Sequence, residues 1–70
     1  MSGQNRNDIQ LGYTVDIVLK QDQRTGTLTR GKVAVILTKS PYHPHGIKVK
    51  LRSGQVGRVK VIVSKDSSEE

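Results

Sequence analysis

The sequence predicts an all-β fold, a small barrel of about five antiparallel strands with disordered termini. Three observations carry that prediction. Nine valines and five isoleucines dominate the apolar residues, and such β-branched side chains are stiff at χ1 and pack well on a pleated surface. The strongest helix formers are nearly missing, since Ala34 is the sole alanine and Met1 the sole methionine. Glycine- and proline-bearing turn signals separate several short stretches of period-two alternation. Closing such a sheet also removes its exposed edges.

The elements follow in order. Residues 1–8 carry no periodicity and read as a loose arm. Ile9-Gln10-Leu11-Gly12-Tyr13 reads as a lead-in turn. Val15, Ile17 and Leu19 then alternate with Asp16, Val18 and Lys20, which predicts a first strand. Asp22 to Gly26 is a loop, with Gly26 able to supply a positive φ. The second strand starts at Thr27 or Leu28 and runs to Leu37, with Gly31 marking a bend or bulge. Its Val33-Ala34-Val35-Ile36-Leu37 run is apolar throughout, which predicts a central strand covered on both faces. Ser40 to Gly46 is a rigid loop, because Pro41 and Pro44 fix φ and remove two amide donors.

The third strand is the clearest: Ile47, Val49 and Leu51 face one way, Lys48, Lys50 and Arg52 the other. Arg52-Ser53-Gly54-Gln55 is a hairpin turn. The fourth strand returns from Val56 to Lys60, and Val61-Ile62-Val63 either continues it or forms a short fifth. The domain is thus expected over residues 9–64, and residues 65–70 form a disordered acidic tail.

Composition excludes several function classes. A chain of 70 residues makes one small domain and buries only ~60% of the surface its unfolded form exposes. There are no cysteines, which excludes disulfides, thiolate metal sites and thiol chemistry. Their absence fits a reducing, cytoplasmic setting. The longest apolar run, Val33 to Leu37, is far short of the ~20 residues that span a bilayer, and the polar N-terminus does not read as a signal peptide. No serine has a local base, no carboxylates pair within the expected domain, and no phosphate-cradling glycine loop occurs. Neither enzyme activity nor a cofactor is expected. His43-Pro44-His45 has a metal-ligand spacing, but the acids are remote in sequence and no metal site is expected.

Charge points to a partner. Twelve Lys and Arg oppose six Asp and Glu, and no acid lies between residues 23 and 65. Self-repulsion in that window would be relieved by a polyanion. Lys48, Lys50 and Arg52 share one strand face, and Arg58 and Lys60 return beside it if register allows. With Arg24, Arg30 and Lys32 these residues are the candidates for phosphate contacts, and His43 and His45 would add local specificity. The function expected is nucleic-acid binding through the phosphate backbone, by a monomer, with RNA favoured over DNA. Against it stands a plain solvated exterior, since sheets carry lysines to block aggregation. An adapter docking an acidic protein is the alternative. Tyr13 and Tyr42 are the only aromatics of the Phe, Trp and Tyr class, too few for base-by-base reading of a single strand. Tyr42 serves either stacking or ordinary packing.

Several blocks are also familiar. Val15-Asp16-Ile17-Val18-Leu19-Lys20, Asp22-Gln23-Arg24-Thr25-Gly26, Leu28-Thr29-Arg30-Gly31, His43-Pro44-His45-Gly46-Ile47-Lys48-Val49 and Gly54-Gln55-Val56-Gly57-Arg58-Val59 together resemble the YwbE-like family of small uncharacterised proteins. The likeness spans roughly Ile9 to Val63 and implies a fold more than a function. Thr29-Arg30-Gly31-Lys32-Val33 is similar to the strand of a KOW-type motif. That implies an SH3-like barrel of the kind that binds RNA or protein in ribosomal proteins and transcription elongation factors. Two of the family blocks fall in loops, where binding sites concentrate. A barrel that brings them together would cluster Asp22, Gln23, Arg24, His43 and His45. That cluster is either a shaped site or a set of loop-fixing side chains bonded to backbone.

Overall fold

In the computed structural model, which describes residues 3–65, the chain forms four strands. They are β1 (Thr14–Leu19), β2 (Thr29–Ile36), β3 (Lys48–Leu51) and β4 (Val56–Ser64). Each pairs antiparallel with the next, and β4 returns to pair with β1, so the sheet closes into a barrel. The all-β class and the barrel agree with the sequence; the strand count is four rather than five. Val61-Ile62-Val63 continues β4 instead of starting another strand. The nine-residue β4 serves two neighbours, β3 through Val56–Arg58 and β1 through Gly57–Ser64. Register shifts between Thr14/Val15 and Asp16/Ile17 accompany that double duty, because bulges bend a strand and increase its twist.

The barrel is filled by aliphatic side chains. Val15 and Ile17 of β1, Val33 of β2, Val49 and Leu51 of β3 and Val59 of β4 are buried together with Ile9 and Ile47. Alternation on β3 holds as the sequence predicts, with Val49 and Leu51 inside and Lys48 and Lys50 outside. The hairpin at Arg52–Gln55 holds too: Leu51 N–H donates to the Gln55 carbonyl, and Gly54 takes φ +97°.

Two expectations for β2 are corrected. Its apolar run is covered on one face only: Val33 is buried, whereas Val35 is 44% exposed and Leu37, just past the strand, 41%. Strand β2 lies between β1 and β3 in the ladder, but among the described residues no second layer covers its outer face at Val35. Gly31 is not a bulge, since the β1–β2 register runs unbroken through Val15↔Gly31. The irregularity falls later, between Val33 and Val35. What Gly31 provides is room, because a Cβ there would lie 2.7 Å from Leu51 Cδ1 in the core.

The N-terminal segment also differs from the loose arm that the sequence suggests. Gly3–Asp8 lies along the 38–47 segment. Ile47 N–H donates to the Gly3 carbonyl (2.7 Å), His43 N–H to the Gln4 carbonyl (3.0 Å) and Arg6 N–H to the Pro41 carbonyl (2.8 Å). Gln4 Nε2 and Arg6 Nε add bonds to the carbonyls of Pro44 and Thr38. A 3₁₀ turn at Arg6–Asp8 then leads to buried Ile9. The expectations for residues 1–2 and for the acidic tail at 66–70 lie outside the described residues.

Candidate nucleic-acid interface

Register decides which cations meet. Lys48 of β3 is the cross-strand partner of Arg58 of β4, and Lys50 is the partner of Val56. Since β-strand side chains alternate, Lys48, Lys50, Arg58 and Lys60 share the outer face, with Val49, Gly57 and Val59 inside. Directly opposed like charges are unfavourable in a sheet, so this face stores repulsion that an anion would release. On its other side Arg58 faces Val18 of β1.

Val18 is 5% exposed although it stands outside the core cluster. It forms the floor of two adjoining depressions. One, of about 420 Å³, is lined by Val18, Gln23, Gly26, His45, Arg58 and Lys60. The other, of about 400 Å³, shares Val18, Gln23 and Arg58 and adds Lys20, Lys48 and Val56. The loops after β1 and before β3 thus converge on the same trough through Gln23 and His45. Of the loop cluster expected from sequence, Asp22, Arg24 and His43 do not line it.

Two cationic side chains are held by backbone of the 43–46 loop. Arg58 Nη1 donates to the Gly46 carbonyl at 3.1 Å and Lys60 Nζ to the His45 carbonyl at 3.3 Å. These bonds fix the cations at the trough while leaving their charges uncompensated by any carboxylate in those contacts. Gly46 itself makes the loop possible. It takes φ +101°, and a Cβ there would lie 2.4 Å from the Val59 carbonyl oxygen.

The histidines first organise their own loop. His45 N–H donates to His43 Nδ1 at 3.2 Å, and the two rings stand tilted with centroids 5.7 Å apart. An Nδ1 that accepts carries no proton, so this bond requires neutral His43 with its proton on Nε2. Desolvation, followed by the positive charges of Arg58 and His45, lowers the His43 pKa from the ordinary histidine value. Among the described residues no three His, Asp or Glu side chains gather as metal ligands.

The depressed His43 pKa has a defined pH consequence. A histidine that resists protonation when folded favours the folded state least in acid. Stability should therefore fall as pH drops through the ordinary value of about 6.5 toward the lower folded value. An NMR titration of the His43 ring should show a midpoint below the ordinary value, with Gly46 and Ile47 amides shifting in step. A His43 midpoint at or above the ordinary value would contradict this account. A bound polyanion acts in the opposite sense, raising the His43 midpoint.

The remaining sequence candidates do not line the trough. Arg30 of β2 is paired with Asp16 of β1, Nε to Oδ1 at 2.9 Å and Nη2 to Oδ2 at 3.2 Å. Asp16 lies before the acid-free window in sequence but meets it across the ladder, so Arg30 is neutralised within the fold. Lys32 Nζ reaches Thr14 Oγ1 at 3.5 Å on the same stretch of β1–β2. Arg52 sits in the hairpin, its N–H donating to the Lys32 carbonyl. Arg24 is exposed in the loop after β1. Conversely Lys20, which lines the trough, is not among the sequence candidates; it follows Val18 by two residues, and that parity is the available signal. Arg30→Ala should change affinity for a polyanion by no more than about twofold, since its charge is already paired at an exposed site. A reduction comparable to that of Arg58→Ala, read by the same binding titration, would place Arg30 in the interface instead.

Comparison with known proteins gives a family without an assigned activity. Residues 2–62 match the family described as "Uncharacterized conserved protein (DUF2196)". The chain is similar to "Uncharacterized protein YwbE" of Bacillus subtilis (strain 168), with 64% identity over 64 residues that cover 91% of this chain and 98% of the relative. No solved structure matches.

Proposed function

We propose that this chain, which belongs to the uncharacterised conserved DUF2196 family, is an RNA-binding module that grips the phosphate backbone with the outer face of β3 and β4. One observation carries the reading: the register that sets Lys48 opposite Arg58, with Lys50 and Lys60 on the same face and Lys20 lining the adjoining trough. Phosphates spaced along a strand reverse the sign of that repulsion, and each one bound releases condensed counterion. In this reading the protein acts as a cytoplasmic, monomeric binder and not as an enzyme. The shape is that of a small SH3-like barrel, and RNA is preferred to DNA by the KOW-like β2 segment.

Titration of the labelled protein with a short unstructured RNA tests this. Amide shifts should concentrate on Lys48–Arg52, Arg58–Lys60 and the His43–Gly46 loop, and the affinity should fall steeply with salt. If no amide shifts at low salt, the proposal fails.

A second reading has its own observation. Val35 and Leu37 are exposed beside the basic strand, Val35 as the cross-strand partner of Lys50 and Leu37 bonded to the Lys48 carbonyl. An adapter for an acidic protein would use such apolar neighbours, which phosphates would not. Nuclease treatment of a native pull-down separates the two: an RNA binder loses its associated material and an adapter keeps it.

A further inference from the structure

The trough is more than a charged surface, and its two lobes differ in chemistry. Val18, Gln23 and Arg58 line both. One lobe adds Lys20 and Lys48, which suit phosphate. The other adds His45, a planar ring, and Lys60, with Gly26 at its rim contributing no side chain. Its volume of about 420 Å³ falls within the ~300–1,000 Å³ of small-molecule sites.

Resting on the RNA-binding reading, we infer that this trough holds one unpaired nucleotide of the RNA. The base lies in the His45 lobe over Val18 and beside Arg58, with Gln23 at its edge. The neighbouring phosphates lie on Lys20 and Lys48. Three features favour a base over a further phosphate in that lobe. The buried Val18 floor is apolar, and an apolar surface offers a phosphate nothing while it matches the face of a base. Arg58 is anchored at the trough by its bond to the Gly46 carbonyl, and a planar guanidinium is a stacking platform for an unstacked base. Gln23 presents an amide with both donors and an acceptor, and a base edge uses both kinds of group whereas a phosphate uses only the donors. Neither tyrosine lines the trough, so the site accommodates one nucleotide and not a stacked run.

The test compares a short mixed-sequence single-stranded RNA with an abasic ribose-phosphate chain of the same length. Binding of each to the wild-type protein and to Gln23→Ala is followed by fluorescence anisotropy. Gln23 is exposed, so the variant should fold normally. The wild type should bind the RNA about tenfold more tightly than the abasic chain, within the range of a single stacked base. Gln23→Ala should lose part of that advantage, the share carried by hydrogen bonds to the base edge, and bind the abasic chain as the wild type does. Equal wild-type affinity for the two chains overturns the nucleotide site and leaves the phosphate face standing. An equal loss on both chains in Gln23→Ala also overturns it, by assigning Gln23 to the backbone. If neither chain binds, the nucleotide site and the RNA-binding reading fall together.

Discussion

The Lys48→Glu, Lys50→Glu double variant is expected to lose RNA binding and keep its fold. Each substitution exchanges a positive for a negative charge on the face built by the β3–β4 register. At ~4 Å in water a unit charge pair is worth ~1 kcal/mol, so two reversals remove about 4 kcal/mol, or ~1,000-fold in affinity. The salt dependence should flatten as well, by ~0.7 in log–log slope for each single-strand phosphate that is no longer neutralised. Both residues are exposed on β3, so the core is untouched. Glutamate at position 48 would face Arg58, and opposite charges across a ladder stabilise by roughly 0.2–1 kcal/mol. The thermal midpoint should hold or rise while binding disappears. A folded double variant that binds RNA with wild-type affinity would remove this face from the mechanism.

Gly46→Ala is expected to destabilise the fold strongly, because two costs fall on one methyl group. The φ of +101° is unfavourable for any L side chain, by ~1–2 kcal/mol. The new Cβ would also sit 2.4 Å from the Val59 carbonyl oxygen, and backbone cannot yield as a side-chain tip can, which adds roughly 1–3 kcal/mol. Together these come to about 2–5 kcal/mol, a large share of the stability of a small domain at ~0.05–0.15 kcal/mol per residue. Gly54→Ala provides the comparison. It shares the positive φ, at +97°, but nothing lies within 4 Å of its Cβ, so only the backbone cost applies. Denaturant titration of both variants isolates the steric part. Equal destabilisation of the two would mean that the approach of Val59 to Gly46 has no energetic weight.

Strand β3 is legible in the sequence because period-two alternation is written in side chains. Ile47, Val49 and Leu51 announce the inside, Lys48 and Lys50 the outside, and Gly54 marks the turn. Other features are carried by means that a local pattern does not show. The Gly3–Asp8 segment docks through backbone donors and acceptors, which nearly every residue possesses, so its polar composition suggests a loose arm. Val33 to Leu37 reads as covered on both faces because apolarity does not reveal whether a second layer exists; Val35 and Leu37 are exposed. The Asp16–Arg30 pair depends on β1–β2 register, which local pattern does not set. Within the candidate site, the cations of β3 and β4 are readable by parity. The trough is not, because it needs β1 to arrive beside β4 and the two flanking loops to fold over Val18.

That arrival has a kinetic side. The ladder between β1 and β4 joins the first strand to the last, and the entropy of bringing such distant segments together precedes the bonds that compensate it. Hairpin β3–β4 can form early and locally, but without β1 it presents Arg58 with no Val18 beside it. The trough therefore exists only where β1 has closed on β4. A ligand that fills it acts as a clasp on the barrel, tying the first strand to the last and stabilising the folded chain as a whole.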